Sequence, residues 1–359
     1  MFEQLGFENL TAPEVSIWFG LALGVAFGAL AEVTRFCFRR AVAGPVAERR
    51  SALGVWLVAV VAALIGTQAA VSAGLIAFDD HRFMVADLPA LAIVIGGLLF
   101  GAGMVLTRGC VSRLTVLTGS GNLRALLVLV VFAIVAHATL KGVLAPIRVA
   151  LGGATVSLGD TVALSALPGG AWIWTAILAI PALLVAARSG ASRVTLALAV
   201  PLGLLAAAGW VGTGYVLFDD FDPVALESLS FTSPAADTLF WGVASTSIPA
   251  RFGVGLIGGV LAGALVASVL GRRFQWQSFE SPAQTGRYMA GAVLMGVGGV
   301  LAGGCTVGAG LSGIPTLSVA ALLAIVAIAA GGVLTDRVLI PSRDGYAGSS
   351  AKRPAQPAE

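Results

Sequence analysis

The stretch from Tyr288 to Thr335, YMAGAVLMGVGGVLAGGCTVGAGLSGIPTLSVAALLAIVAIAAGGVLT, decides the fold. It holds no charged residue over more than twice the roughly 20 residues that a helix needs to cross a bilayer core. Its middle, Gly303-Gly304-Cys305-Thr306-Val307-Gly308-Ala309-Gly310-Leu311-Ser312-Gly313-Ile314-Pro315, carries too much glycine, and a proline, to be regular helix. Two apolar spans joined by an uncharged break follow. Non-helical backbone survives at membrane depth only where it is buried in protein or lines a cavity, because lipid offers its N–H and C=O groups no partner. Cys305 is therefore expected inside the protein.

The rest of the chain repeats this pattern. Of its 359 residues 58% are apolar and 11% charged, with a mean hydropathy of +0.96, whereas a soluble domain needs about 25% charged residues to hydrate its surface. Apolar spans are expected at about 15–36, 52–78, 88–107, 125–147, 161–187, 194–218, 252–271, 288–304 and 316–335. The fold class is thus an all-α polytopic membrane protein with about nine transmembrane helices plus short re-entrant ones. Met1 to Glu14 carries Glu3, Glu8 and Glu14 and no Lys or Arg, so it lacks the basic start of a cleavable signal peptide, and the first span is expected to stay. Most of the 21 Lys and Arg, among them Arg39, Arg40, Arg49, Arg50, Arg113, Arg272 and Arg273, fall on one set of alternate connections. The opposite loops hold Arg82, Arg148 and Arg251 and collect Asp79, Asp80, Asp87, Asp160, Asp219, Asp220, Asp222, Glu227 and Asp237. The positive-inside rule then puts the C-terminus in the cytoplasm and, with nine spans, the N-terminus outside. The tail Pro341 to Glu359 reads as disordered.

Aligning Gly96 to Cys110 (GGLLFGAGMVLTRGC) with Gly291 to Cys305 (GAVLMGVGGVLAGGC) matches Gly96, Gly101, Gly103, Leu106, Gly109 and Cys110 to Gly291, Gly296, Gly298, Leu301, Gly304 and Cys305 at one constant offset. Acidic residues precede the first copy, while Arg272, Arg273 and Arg287 precede the second, so the two are expected to cross in opposite directions. That is the mark of an inverted-topology repeat with a site near the midplane. Its halves would be 1–150 and 151–340, in an hourglass-like, pseudo-two-fold arrangement. Gly20, Gly24 and Gly28 lead to Arg35-Phe36-Cys37 in a looser version of the pattern. Close helix packing accounts for the glycines equally well.

Cys37, Cys110 and Cys305 are the only cysteines, and each ends a glycine-patterned helix. A single such thiol reads as small apolar filler; three at corresponding breaks read as a lining. There is no CxxC, and His81 and His137 are far from any Cys in sequence, so no metal or other cofactor is expected. No GxxxxGK[ST] loop for ATP occurs. The candidate substrate pathway is Cys37, Cys110 and Cys305 with Arg35, Arg108, Gly109, Gly304 and Thr306 around them. Arg108 reads either as a positive group on that pathway or as an interfacial snorkel. Glu32, one turn before Arg35, is placed for an i,i+3 ion pair. His137 and Lys141 read as hydrogen-bonding a neighbouring helix or snorkelling outward, and the polar run Ser228 to Asp237 as a solvated loop or a re-entrant segment.

Thr34-Arg35-Phe36-Cys37-Phe38, Arg108-Gly109-Cys110-Val111-Ser112-Arg113 with Gly119-Ser120-Gly121-Asn122-Leu123-Arg124, Ser228-Leu229-Ser230-Phe231-Thr232 and Leu301-Ala302-Gly303-Gly304-Cys305-Thr306-Val307-Gly308 together resemble the YeeE/YedE family of sulfur-compound transporters. The resemblance runs over essentially the whole chain. It implies an inner-membrane importer of thiosulfate or a closely related sulfur oxyanion, not an enzyme, in which Cys37, Cys110 and Cys305 relay the ion by S–H hydrogen bonds. It also implies a small cytosolic TusA-like sulfur carrier as partner. Arginine on both sides of Cys110 marks a subtype for which sulfite or selenite is an alternative cargo. A membrane thiol oxidoreductase is the reading from another class; it needs a pair of thiols able to form a disulfide, which sequence spacing alone does not supply.

Overall fold

The computed structural model describes residues 10–219, 221–279 and 281–344. The N-terminal stretch up to Asn9, Asp220 and the tail beyond Asp344 lie outside the described residues. Those described are helical apart from turns, loops and one short antiparallel pair, β1 (Asp87–Leu88) with β2 (Val156–Ser157). In chain order the helices are α1 (Ala12–Thr34), α2 (Phe38–Ala43), α3 (Val46–Ser72), α4 (Ala90–Leu106), α5 (Val111–Gly119), α6 (Leu123–Lys141) and α7 (Ala145–Gly152). They continue as α8 (Gly170–Ala187), α9 (Arg193–Val211), α10 (Thr232–Val243), α11 (Phe252–Leu270), α12 (Pro282–Leu301) and α13 (Val319–Asp344).

Among the described residues nine helical stretches are long and apolar enough to cross a bilayer: Ala12–Ala43, Val46–Ser72, Ala90–Gly119, Leu123–Lys141, Gly170–Ala187, Arg193–Val216, Phe252–Leu270, Pro282–Thr316 and Val319–Leu339. The chain is a multi-pass, all-α membrane protein. The fifth span starts later than expected, because Pro168 and the positive φ of Gly169 (108°) and Gly170 (67°) keep the preceding residues out of the helix. The last helix runs past Pro341 to Asp344, three residues further than the tail boundary read from composition.

Local chemistry sets the helix starts. The Thr11 N–H donates to Glu14 Oε2 at 2.9 Å, forming a capping box with Pro13 in the first turn of α1. Asn122, Ser192 and Ser281 accept N–H bonds at the heads of α6, α9 and α12. Glycine then sets how closely the helices approach. A Cβ on Gly24 of α1 would lie 2.3 Å from the Leu256 carbonyl oxygen of α11, and one on Gly259 2.2 Å from that of Leu21, so these two backbones touch. In α4, Gly101 meets α13 and Gly103 meets α12 in the same way. The glycine series read from the sequence is therefore a packing device. At the periphery, Ile173, Ile177, Ile180 and Leu184 form an exposed apolar stripe on α8 at helical spacing, the surface that lipid solvates.

Candidate functional site

Three helices end in the same way. At the end of α1, Arg35 takes φ 52° and the Phe36 N–H reaches back to the Ala31 carbonyl at 3.1 Å. At the end of α4, Arg108 takes φ 60° and the Gly109 N–H reaches the Met104 carbonyl at 3.1 Å. After α12 the left-handed residue is Gly303, φ 73°. Such a residue closes a helix by satisfying its last carbonyls and turns the chain sharply. Two residues on, the cysteine starts a new helix: Cys37 caps α2, Cys110 caps α5, and Cys305 caps a π-helix, Thr306–Gly313. Helix starts expose unpaired N–H groups and the positive end of the peptide dipoles. The sequence motif residue, one, cysteine is thus a way of putting a thiol at a helix N-terminus.

The three thiols are unpaired and buried, with 4%, 1% and 0% of Cys37, Cys110 and Cys305 exposed. The tertiary fold brings them together. The Cys37 and Cys110 side chains interact with one another, and Cys110 also interacts with the side chain of Thr306, next to Cys305. Ser112 Oγ is 3.2 Å from Cys110 Sγ. Cys305 Sγ accepts the Gly308 N–H at 3.4 Å, which leaves its own proton free to donate.

A cavity lies at each end of this row. The wide one, about 1610 Å³, opens among the acidic loops, and Gly308, Ser312 and Ser230 are part of its lining beside Cys305. The narrow one, about 240 Å³, is lined by Arg35, Cys37, Arg40, Ser51 and Thr195 on the arginine-rich side. Cys110 lines neither and sits between them. The Ser228–Asp237 run is no free loop: Ser228, Leu229 and Phe231 are buried, Ser312 Oγ donates to the Leu229 carbonyl at 2.7 Å, and Thr232 begins α10.

Charges are placed at the two mouths. Glu32 does not pair with Arg35; it accepts from Arg113 at 3.2 Å and lies 3.7 Å from Arg273. Arg35, in the left-handed region, leaves the helical ridge on which an i,i+3 contact depends, and its side chain is exposed. Arg108 is exposed as well and lines neither cavity. Arg113 and Arg39 instead bring positive potential to Cys37. In the wide cavity, burial raises the carboxyl pKa of Glu227 and Asp237, against the opposing charges of Arg82 and Lys141 respectively. Burial, with Arg82 beside it, holds His81 down at about 4 and therefore neutral near pH 7. His137 stacks on Phe240 of α10 with ring centroids 3.7 Å apart, a ring contact in place of the hydrogen bond expected of it. Arg82 and Ser230 are outside the site residues expected from the sequence; the signal available there is Arg82 as one of three arginines in otherwise acidic loops, and Ser230 inside the Ser228–Thr232 motif.

Residues 33–334 match the model of the family described as sulphur transport. The chain belongs to the sulphur transport family. It is similar to the thiosulfate transporter TsuA of Escherichia coli (strain K12), 27% identical over 317 residues that cover 81% of this chain and 86% of that protein. It is also 27% identical to the thiosulfate transporter TsuA of Spirochaeta thermophila over 339 residues, 86% of this chain and 94% of that one. This member of the sulphur transport family is a sulfur-compound transporter rather than an enzyme, and its three helix-break cysteines all lie inside the matched region.

Proposed function

We propose that this chain imports thiosulfate across the bacterial inner membrane, from the wide cavity past Cys305, Cys110 and Cys37 in turn to the narrow one. The observation that carries the reading is the placement of three buried thiols between two cavities: Cys37 lines the narrow one and interacts with Cys110, Cys110 meets Thr306 next to Cys305, and Gly308 beside Cys305 lines the wide one. Thiosulfate is a divalent anion with a soft terminal sulfur, and a thiol is a weak donor with a polarisable surface. Hydrogen bonds to a charged group contribute about 1.5–3 kcal/mol each, enough to hold the ion at successive sites without trapping it. The amides of Gly109, Gly304 and Thr306 flank the thiols at the breaks. Arg35 lines the exit, and Arg108 contributes its left-handed turn. Thiosulfate as cargo is supported by the names of both relatives.

The positive-inside distribution supports a wide cavity facing outward, the N-terminus outside and the C-terminus in the cytoplasm. The shared helix, turn, cysteine, helix unit supports an inverted repeat with halves 1–150 and 151–340. A TusA-like cytosolic carrier as acceptor rests on the family resemblance.

The test is uptake by cells in which this chain is the sole candidate importer, offered thiosulfate, sulfite, sulfate and selenite. Thiosulfate is expected to enter. Cys37→Ala, Cys110→Ala and Cys305→Ala are each expected to abolish uptake while the protein still accumulates in the membrane. Normal growth of the Cys110→Ala and Cys305→Ala strains on thiosulfate overturns the relay. Because the Cys37 and Cys110 side chains interact, a thiol pair for disulfide exchange is available, and serine separates the readings: a hydroxyl keeps partial hydrogen-bonded transport and ends thiol exchange altogether.

A further inference from the structure

The anion must first reach a vestibule rimmed by Asp79, Asp80, Asp160, Glu227 and Asp237, which repel it, with Lys141 and Arg251 set against Asp237. Arg82 answers that repulsion. It lies on the turn between α3 and α4, and the turn is fastened to the helix that Cys305 caps. Trp210 packs on His81 with centroids 5.0 Å apart and donates from Nε1 to the Ser312 carbonyl at 3.2 Å. Ser318 Oγ, just beyond that helix, donates to the Phe83 carbonyl at 2.7 Å.

The Arg82 side chain is exposed and lines the wide cavity, and the protein around it desolvates it in part, which lowers its pKa. Its Cζ stands 5.1 Å from the centre of the Phe83 ring, so the ring steadies one face. Among the described residues no carboxylate approaches within ion-pair distance of it. Arg82 nevertheless lies within electrostatic range of Glu227 and of Cys305. Glu227 is fixed in turn by Thr213, whose hydroxyl donates to the Glu227 carbonyl at 2.6 Å and accepts its N–H at 3.0 Å. A fixed guanidinium with its donor edge open to a cavity, one step above the first thiol, matches a tetrahedral oxyanion in both charge and fork geometry.

We propose that Arg82 is the capture residue for the incoming sulfur oxyanion, holding it over Cys305, and that Glu227 is the counter-charge against which the anion competes. The inference rests on the import reading above for the direction of travel. It assigns binding to a side chain outside the cysteine row.

The experiment uses the full chain, purified and reconstituted in liposomes, with radiolabelled thiosulfate as the probe, and a parallel titration of thiosulfate read on tryptophan fluorescence in detergent. Arg82→Gln is expected to raise the half-saturating concentration by about tenfold or more, the scale of a lost charge-assisted bond, and by more than it lowers the maximal rate. Arg82→Lys is expected to recover part of that loss, and Glu227→Gln to shift half-saturation the opposite way, to lower concentration. Wild-type half-saturation in Arg82→Gln overturns the proposal. So does equal damage by Gln and Lys accompanied by a lowered melting temperature, which marks a structural role. If wild type takes up no thiosulfate, the import reading fails on its own. The titration still decides for Arg82: binding lost in Arg82→Gln supports it, and binding unchanged overturns it.

Discussion

At the level of single residues, the proposed route turns on what stands next to each thiol. Gly308 is the clearest case. A methyl there would come 3.1 Å from Ser230 Oγ and 3.9 Å from Cys305 Sγ, so the missing side chain keeps open the space between a hydroxyl and a thiol beside the wide cavity. Gly308 lies inside a helix, where alanine is favoured over glycine. Gly308→Ala is therefore expected to fold and to slow uptake, roughly tenfold if the methyl costs the bound anion about 1.4 kcal/mol. Transport rate against melting temperature checks it: a lowered melting temperature with unchanged rate refutes the assignment. The three cysteines were legible because each one follows a turn signal that a sequence displays. Arg82 was not, since what makes it matter is the fold of a distant π-helix beneath it. The expected Glu32–Arg35 pair failed for a local reason, the left-handed turn at Arg35, which spacing along an ideal helix does not include.

Among the helices, glycine does two separate jobs that look alike in sequence. At Gly303 it permits φ 73°, whereas Arg35 and Arg108 hold the equivalent conformation at a cost of about 1–2 kcal/mol each. At Gly24 and Gly259 it lets α1 and α11 touch backbone to backbone. Periodicity and the lack of charge made all nine spans legible, and the internal alignment located the breaks. What it left open was which glycines pack and which turn, because that depends on the neighbour each one meets. Gly24→Ala places a Cβ 2.3 Å from a carbonyl oxygen that belongs to a helix backbone and has no flexible end to yield. It is expected to destabilise the protein by about 1–3 kcal/mol, the usual range for overpacking. A thermal unfolding scan in detergent reads this, and an unchanged midpoint refutes the close α1–α11 contact.

For the molecule as a whole, the question is what moves during transport. The frame is built from backbone contacts: α1 on α11, and α4 on both α12 and α13. Such contacts have no side-chain slack, and sliding one helix past another would drive carbonyls into neighbouring backbone. On the proposed route Cys37, Cys110 and the Thr306–Cys305 pair already lie between one cavity and the other, so the ion would need only small side-chain displacements between sites. Large rocking of one half against the other is not required by this arrangement. The ion pair of Arg49, on α3, with Asp336, on α13, gives a place to test that, since it ties together two helices that flank the arginine-rich mouth. Cysteines introduced as Arg49→Cys and Asp336→Cys, joined by a short thiol-reactive cross-linker, clamp those helices while the native thiols remain buried. Uptake in liposomes is expected to stay within about twofold of the unlinked double variant, a difference of under 1 kcal/mol in barrier. Loss of uptake on cross-linking, restored when a cleavable linker is reduced, would show instead that α3 and α13 separate in each cycle and that the relay is gated by the frame.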